Sequence, residues 1–254
     1  MGIVPVVWLF ACLVTPFTVA AAAAANGDPA PVSFVASDKV TIFADYYGGR
    51  DAVRPLILLF HQAGSNRAEY APIAPMLTAL GFDVLAIDQR SGGSLWGHAN
   101  ETVQHLGRSE DYGSAFHDLE GALTWAKSSG RSGPVIVWGS SYSAALVFLL
   151  AAKHPQDVKA LLAFSPGEYL ASPSSVRSAA AQLSIPIFVT SAKESGEVAQ
   201  AKAILDAASA RQKVQFVPYI AGVHGSSTLR SDRNPKGAAE NWAAVKAFLA
   251  SLAL

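Results

Sequence analysis

Short apolar runs alternate with longer amphipathic segments along most of this chain. The almost uniformly apolar runs lie at residues 55–60, 82–87, 135–138, 158–164, 186–190 and 214–218. Such runs are typical of strands that are buried on both faces. The segments between them carry apolar residues at helical spacing, which predicts helices at 68–80, 111–127, 144–154, 198–210 and 241–252. This alternation predicts an α/β fold with a mostly parallel, doubly wound sheet and helices on both faces.

The front of the predicted domain has a different pattern. Two short strand-like segments, 32–36 and 40–46, are separated only by Ser37-Asp38-Lys39. This spacing predicts an antiparallel N-terminal hairpin added to the parallel sheet. Residues 26–31 are expected to form a linker, and no break in composition divides the chain after it. We therefore expect a single domain over residues 32–254.

The first 25 residues differ from the rest in composition. They are apolar from residue 3 onward except for Thr15 and Thr18, and they end in a run of alanines before a polar segment. This pattern is typical of a cleaved secretory signal peptide, although its start has no Lys or Arg. An uncleaved membrane anchor is the alternative that the length permits, and Pro5 and Pro16 disfavour it. A lipoprotein signal ending at Cys12 fits less well. We expect export to a periplasm or to the medium.

Composition and charge exclude several classes of function. The chain has 254 residues, 51% of them hydrophobic and 15% charged, and its formal net charge is zero. These values predict a globular protein with a large core and no basic surface for nucleic acid or anionic lipid. Cys12 is the only cysteine, so a mature protein would have no disulfide and no cysteine metal site. No nucleotide-binding loop or metal-ligand cluster is recognisable, and we expect no cofactor and no metal.

The most informative motif is Gly139-Ser140-Ser141-Tyr142-Ser143, between a strand-like and a helix-like run. A serine on a sharp strand-to-helix turn needs small residues two positions before and after it, and Gly139 and Ser143 flank Ser141 in this way. Ser140 would place Trp138 and Tyr142 at those positions, and Ser143 lies too far beyond the strand. We predict Ser141 to be a nucleophile. The alternative is an ordinary turn rich in serine and glycine.

A serine nucleophile needs a base and a group that orients the base. His224 follows the strand-like run 214–218 and is the only histidine after residue 154. Glu194 lies in the loop after the run 186–190 and is the predicted carboxylate, although Glu197 competes for the same role. The carboxyl ends of parallel strands lie at one edge of a sheet, so these loops can meet Ser141 there.

Acyl transfer also needs N–H donors for the negatively charged oxygen of its intermediate. One is expected from Tyr142, the residue after the nucleophile. The other is expected from the loop His61-Gln62-Ala63-Gly64-Ser65, with the Ala63 N–H as first choice and the Gln62 N–H as second. His61 is assigned no role in proton transfer, because it can simply hold this loop by hydrogen bonds.

With these motifs the chain resembles the α/β-hydrolase superfamily, and within it the dienelactone-hydrolase-like and small serine esterase branches. The resemblance covers nearly all of residues 32–254. Gln62 stands where glycine is usual, Ser143 replaces the last glycine of the turn, and Glu194 stands where aspartate is usual. The dienelactone hydrolases use a cysteine nucleophile where this chain has serine. The resemblance implies an α/β-hydrolase fold and cofactor-free hydrolysis of esters, thioesters or related acyl compounds.

The expected function is therefore that of a serine esterase acting on small-molecule esters through an acyl-enzyme. Residues 91–107 are too few for a lid domain, which suits small or medium water-soluble substrates. Trp96 and Tyr169 are candidates for the substrate pocket, or they are packing residues. Two alternatives stay open: a serine peptidase on the same fold, and a non-catalytic binding protein that retains the fold.

Overall fold

The computed structural model describes residues 28–49 and 51–254. The predicted signal peptide, the alternatives to it and Cys12 lie outside these residues, and export stays a prediction. Within the described part of the chain, no helix is long and apolar enough to cross a membrane.

Within residues 28–49 and 51–254, eight strands form one sheet. They are β1 (Ala30–Val35), β2 (Thr41–Tyr47), β3 (Leu56–Phe60), β4 (Asp83–Ile87), β5 (Val135–Ser140), β6 (Val158–Phe164), β7 (Ile187–Thr190) and β8 (Lys213–Phe216). Their order across the sheet is β1-β2-β4-β3-β5-β6-β7-β8. β1 pairs antiparallel with β2, and β2 antiparallel with β4, while all other neighbours are parallel. The predicted fold class and its antiparallel front hairpin are confirmed.

In the described part of the chain, seven α-helices connect and cover the strands. They are α1 (Ala74–Ala79), α2 (Glu101–Leu106), α3 (Phe116–Ser128), α4 (Tyr142–Lys153), α5 (Ser175–Ala180), α6 (Ser195–Ala207) and α7 (Ala238–Ala250). Short 3₁₀ turns occupy Arg67–Tyr70, Leu95–Gly97 and Gly225–Leu229. The chain thus alternates between strand and helix after β2, as the apolar pattern predicts.

Two hydrophobic clusters hold the sheet between its helices. All residues of β3, β4 and β5 are buried, and their side chains alternate between the two faces. Leu58 belongs to the cluster that also contains residues of α3 and α4, and Leu59 to the cluster that contains residues of α1 and α7. Full burial of one leucine side chain stabilises the fold by about 1.5–3 kcal/mol. Burial on both faces explains why these strands have no polar alternation.

The predicted helix 68–80 is shorter than expected. Residues Arg67–Tyr70 form a 3₁₀ turn, and α1 begins only at Ala74 with Pro75 in its first turn. Pro72 and Pro75 have no N–H to donate within a longer helix, so proline is accepted only near a helix start. The short α2 and α5 were not among the predicted elements. α2 begins after Asn100, whose side chain accepts a hydrogen bond from the Val103 N–H.

Candidate active site

Ser141 lies on a tight turn between β5 and α4. Its backbone has φ 59° and ψ −122°, a left-handed conformation that is costly for a residue with a side chain. The Ser141 N–H donates to the Phe164 carbonyl at 2.8 Å, which anchors the turn to β6. A Cβ atom at Gly139 would collide with the carbonyl oxygen of Ser143. The turn therefore needs glycine at this position, as the sequence motif implies.

His224 reaches this serine from the loop after β8. The Ser141 hydroxyl donates to His224 Nε2, with 2.9 Å between the oxygen and the nitrogen. The imidazole side chain is 39% exposed, so it can be reached by a substrate as well as by the serine. The structure thus brings together the predicted nucleophile and the predicted base, which are 83 residues apart in sequence.

The carboxylate that meets His224 is Glu197 and not Glu194. His224 Nδ1 donates to Glu197 Oε1 at 2.9 Å, and the second oxygen of Glu197 accepts the Ala192 N–H at 3.2 Å. Glu194 is exposed, at the residue before α6, and makes no hydrogen bond to His224. Because the helix begins at Ser195, Glu197 is in its first turn, beside the strand ends. The assignment of Glu194 is corrected in favour of its competitor.

The pair of His224 and Glu197 favours the charged form of both groups. The hydrogen bond with Glu197 raises the pKa of His224 above its ordinary value, against the opposing effect of burial. Burial alone would raise the pKa of Glu197, but hydrogen bonds from His224 and Ser165 bring that pKa below its usual value. Glu197 is therefore ionised at neutral pH, and it stabilises an imidazolium beside it.

Two backbone N–H groups are candidates for the oxyanion site. The Tyr142 N–H begins α4, where the first N–H groups have no partner inside the helix. Neither the Tyr142 N–H nor the Ala63 N–H has a hydrogen-bond acceptor within residues 28–49 and 51–254. The Gln62 N–H, the second choice, donates to the side chain of Glu69 at 2.9 Å. The second choice is corrected, because this donor is already occupied.

His61 holds the loop that carries Ala63. Its Nδ1 hydrogen bonds to the Gln62 carbonyl at 2.8 Å, and its Nε2 accepts the Gln89 N–H at 2.9 Å. The ring is completely buried, and burial lowers the pKa of His61 to about 4. A neutral ring with both nitrogens occupied has no proton to exchange at the site. The contacts agree with the expectation that His61 has a supporting role.

The two pocket candidates lie in different cavities. Trp96 borders a cavity of about 390 Å³ that also includes His224, and its other described lining residues are Gln62, Leu95, Val223, Ser227 and Arg233. The Trp96 ring faces the guanidinium groups of Arg230 and Arg233 at 4.0 and 4.7 Å from its centroid. Tyr169 instead borders a cavity lined by Glu168, Arg177, Gln200, Ala203 and Ile204. Trp96 is therefore the better candidate for contact with a substrate at His224.

Sequence reasoning missed two polar residues beside the site. Ser165 directly follows β6, and its hydroxyl oxygen accepts the Gly225 N–H at 2.9 Å. Its position at the carboxyl end of a parallel strand is a signal that could have identified it. Glu69 is fully buried and contacts two of the site's loops. Nothing in the local sequence distinguishes it from a solvated glutamate in a helix-like segment.

Solved structures with this fold include hydrolases of several sources. A dienelactone hydrolase from Anabaena variabilis is 16% identical with a TM-score of 0.66, covering 89% of this chain and 99% of its own. An esterase from Pyrococcus furiosus is 17% identical with a TM-score of 0.68, covering 89% of this chain and 93% of its own. A cold-adapted esterase from an Arctic intertidal metagenomic library is 16% identical with a TM-score of 0.59, covering 74% of this chain and 83% of its own. At these identities the likeness concerns the fold.

No curated protein sequence matches this chain. A hydrolase family described as "Serine aminopeptidase, S33" matches residues 51–223, which run from before β3 to the residue preceding His224. The matched segment contains the elements that carry Ser141 and Glu197, and it makes up more than half of the chain. The fold, the serine turn and this match lead to one conclusion: the chain belongs to this family of α/β hydrolases.

Proposed function

We propose that this protein is a carboxylic ester hydrolase that forms an acyl-enzyme on Ser141. What supports this most is the continuous hydrogen-bonded chain from the Ser141 hydroxyl through the His224 ring to Glu197, with both links at 2.9 Å. A serine hydroxyl is a weak nucleophile at neutral pH and is activated by an adjacent, oriented base. The arrangement supplies this base and the group that orients it.

In the first step the Ser141 oxygen attacks the ester carbonyl carbon. His224 Nε2 takes the hydroxyl proton, since the two atoms already share it in a hydrogen bond. The carbonyl oxygen becomes negatively charged and accepts hydrogen bonds from the Tyr142 and Ala63 N–H groups. Donors that are already oriented stabilise this charge without reorganisation, which is usually the largest single contribution in such sites.

In the second step the tetrahedral intermediate collapses. The bond between the former carbonyl carbon and the alcohol oxygen breaks, and His224 returns its proton to the leaving alcohol. Water then attacks the acyl group on Ser141, with His224 again acting as base. The bond between the acyl carbon and the Ser141 oxygen breaks, His224 returns the proton to that oxygen, and the carboxylic acid leaves. Throughout, Glu197 holds Nδ1 protonated and stabilises the imidazolium that forms in each step.

The site and its structural neighbours support a proposal for the substrate class. The structural neighbours are described as esterases and as a dienelactone hydrolase. The cavity at His224 measures about 390 Å³, at the small end of the range for ligand sites. We therefore assign small or medium carboxylic esters as substrates, with the Trp96 side of the cavity receiving part of the ester.

The direct test is the variant Ser141→Ala, assayed on p-nitrophenyl esters of increasing acyl length. We expect loss of turnover with folding retained, because the serine oxygen is the attacking atom. Labelling by a fluorophosphonate, located by mass spectrometry on Ser141 and absent in the variant, tests the nucleophile independently of substrate choice. Ser128→Ala, an exposed serine in α3, is the matched control. Ester hydrolysis by Ser141→Ala at the wild-type rate would refute the mechanism, and an unlabelled wild type would favour the binding protein.

A serine peptidase is the second candidate because of the description of the matched family. An aminopeptidase must bind the positively charged α-amino group of its substrate. The described residues that line the cavity at His224 include Arg233 but no carboxylate, which disfavours a cationic group there. Paired amino-acid p-nitrophenyl esters and p-nitroanilides distinguish the two functions. Higher kcat/KM on the anilides would favour the peptidase.

A further inference from the structure

Glu69 is a buried carboxylate beside the site, and its side chain forms no ion pair within the described residues. It lies in the turn Arg67–Tyr70 after β3 and is 0% exposed. Within the described part of the chain, no Lys, Arg or His nitrogen lies within 4.0 Å of its carboxylate oxygens. Arg230 approaches, but its Nη1 donates to the backbone carbonyls of Ala68 and Glu69, at 3.1 and 2.9 Å.

The carboxylate of Glu69 lies against hydrogen-bond donors. Its carboxylate faces three donors: the Ser140 hydroxyl at 2.7 Å, the Gln62 N–H at 2.9 Å and the Ser65 hydroxyl at 3.2 Å. The Ser140 oxygen also accepts the Ser226 N–H at 2.9 Å, and the Ser65 oxygen accepts the Trp96 indole N–H at 2.7 Å. The Ser140 hydroxyl therefore has its own hydrogen available for Glu69, and the Ser65 hydrogen faces Glu69 and, at 3.4 Å, the Asn66 carbonyl. Burial raises the pKa of the Glu69 carboxyl overall, while the hydrogen bonds from Gln62, Ser140 and Ser65 and the charge of Arg230 oppose this rise. These donors favour the ionised, acceptor form of the carboxylate.

These contacts join the three loops of the site. Gln62 and Ser65 flank Ala63, whose N–H is an oxyanion donor. Ser140 immediately precedes Ser141. Ser226, which donates to the Ser140 oxygen, follows His224 by two residues. One carboxylate thus connects, directly or through one hydroxyl, the segments that carry the nucleophile, the base and the oxyanion donor.

The loop that carries His224 lies close to Glu69 and its donors Gln62, Ser65 and Ser140, which together we call the Glu69 cluster. Gly225 has φ +68°, and a Cβ atom placed on it would lie 2.5 Å from the Ser140 hydroxyl oxygen. The next residue is held from the other side, because the Trp138 indole N–H donates to the Ser226 hydroxyl at 2.9 Å. The loop therefore contacts the Glu69 cluster through backbone rather than through a flexible side chain.

We propose that Glu69 is a positioning residue of the active site, whose buried carboxylate holds the Ala63 loop, the Ser141 turn and the His224 loop in one arrangement. This inference rests on the proposed function and adds to it a residue outside the Ser-His-Glu chain. Positioning of this kind matters because a displacement of about 1 Å at a catalytic group can lower the rate about 100-fold.

The charge of Glu69 has a second effect, on His224. The groups that raise the pKa of His224 are Glu197, first through its hydrogen bond and then through its charge, followed by the charges of Glu69 and Glu194. The cations on this side are Arg230, which faces Glu69, and Arg233, which lines the cavity of His224. Tyr70, adjacent to Glu69, is neutral because burial raises the pKa of its hydroxyl well above the usual value. Removal of the Glu69 charge should therefore lower the pKa of His224.

The experiment compares two variants of the cluster in the full-length protein. Glu69→Gln removes the charge and replaces one acceptor oxygen by an NH2 group, which donates. We expect kcat on p-nitrophenyl acetate to fall about 10- to 100-fold with KM within about twofold, and the acid limb of the kcat/KM profile to move to lower pH. Ser140→Ala removes the link to Ser141 and Ser226 but keeps the charge. For it we expect a similar fall in kcat with the acid limb in place.

Asp83→Asn is the matched control. Asp83 is also 0% exposed, but it begins β4 and so lies at the opposite edge of the sheet, paired with Arg131. Its loss should lower the thermal midpoint without moving the acid limb. A Glu69→Gln protein with wild-type kcat, or with an unmoved acid limb and only a lower thermal midpoint, would overturn the proposal. If that variant does not fold, wild-type kcat in Ser140→Ala overturns it.

A measurement that does not require ester hydrolysis separates this inference from the proposed function. The pKa of the His224 ring can be followed by NMR titration in the wild type and in Glu69→Gln, with Ser141→Ala as the test of the nucleophile. A lower pKa in Glu69→Gln supports the electrostatic part of the proposal even if no ester is hydrolysed, and an unchanged one contradicts it. Ester hydrolysis by Ser141→Ala would instead refute the proposed function and leave the titration interpretable.

Discussion

Two buried carboxylates beside neighbouring strands, Glu69 and Asp118, are held in opposite ways. Glu69 follows β3 and is surrounded by neutral donors. Asp118, in α3, accepts from the side chain and the backbone N–H of Arg90, which follows β4, and Arg90 also pairs with Asp38 and Glu110. The first cluster connects the loops of the active site. The second connects α3 and the β1–β2 turn to the end of β4.

The comparison indicates that a buried charge can affect either stability or catalysis, depending on its partners. Asp118 has a cation in direct contact that offsets part of its charge, so we expect its cluster to act mainly on stability. A carboxylate held by neutral donors has no paired cation against it, so in its ionised form it acts on any group nearby that gains positive charge. In this protein that group is the imidazole of His224. We therefore expect variants of the first region to change catalysis and variants of the second to change stability.

The largest effect should come from Glu197→Gln. The amide leaves the geometry almost unchanged, but it no longer stabilises the imidazolium and can favour the wrong tautomer. We expect kcat to fall about 10³- to 10⁴-fold, with little change in the urea midpoint. Glu194→Gln is the matched comparison, and because that carboxylate is exposed we expect kcat within about twofold of the wild type. The reverse ranking in steady-state kinetics would restore the assignment of Glu194.

Arg90→Met should have the next largest effect, on stability instead of on chemistry. It leaves Asp118 buried without its partner, which costs about 3–5 kcal/mol in comparable buried pairs. Urea denaturation followed by circular dichroism measures the change. We expect the folded fraction of the variant to retain a kcat close to that of the wild type. A loss of kcat larger than the loss of folded protein would mean that the two regions are not separable.

The pH dependence of activity and of stability should also distinguish the two regions, although the effect is smaller. Because the pKa of His224 is raised, kcat/KM should rise with pH through a midpoint above the ordinary value of about 6.5. The same shift adds stability that is fully present below the unfolded pKa and is lost as pH rises through the folded pKa. Between these two values activity should increase while the urea midpoint decreases slightly. Glu197→Gln should move the rise of kcat/KM to lower pH and weaken the decrease of the urea midpoint. A stability that rises with pH in this window would contradict the pKa shift.

Trp96→Phe should have the smallest effect. It removes the indole hydrogen bond to Ser65 at 2.7 Å but keeps an aromatic ring against Arg230 and Arg233. A single neutral hydrogen bond contributes about 1 kcal/mol, so kcat should fall only a fewfold. KM for longer acyl esters should change more than KM for the acetate, as measured across the p-nitrophenyl series. An equal change for all chain lengths would place Trp96 outside the substrate pocket.

The sequence predicts the fold well because burial on both faces leaves a direct signal. Runs such as 55–60 have no polar alternation, and in the structure every residue of β3 is buried. The Ser141 turn was predictable for a similar reason, since the steric need at Gly139 is local. The choice of His224 followed from chain order and from the position of its loop after a strand.

The carboxylate could not be chosen from the sequence in the same way. Glu194 and Glu197 lie in the same segment, and only the start of α6 at Ser195 decides which of them is directed to the strand ends. Helix boundaries are uncertain by a few residues from sequence alone. The role of Glu69 is even harder to predict from the sequence. It depends on Gln62, Ser140 and Ser226, which are distant along the chain and meet only in the folded protein.

The hydrogen bond from the Ser141 N–H to the Phe164 carbonyl continues the ladder between β5 and β6 by one residue. The backbone of the nucleophile is therefore secured by the central strands and not by a surface loop. Amide hydrogen exchange at Ser141 should then be as slow as in the core, since it needs the opening of the sheet itself. On gentle heating, activity should disappear by displacement of the half-exposed imidazole well before the attacking oxygen loses its place.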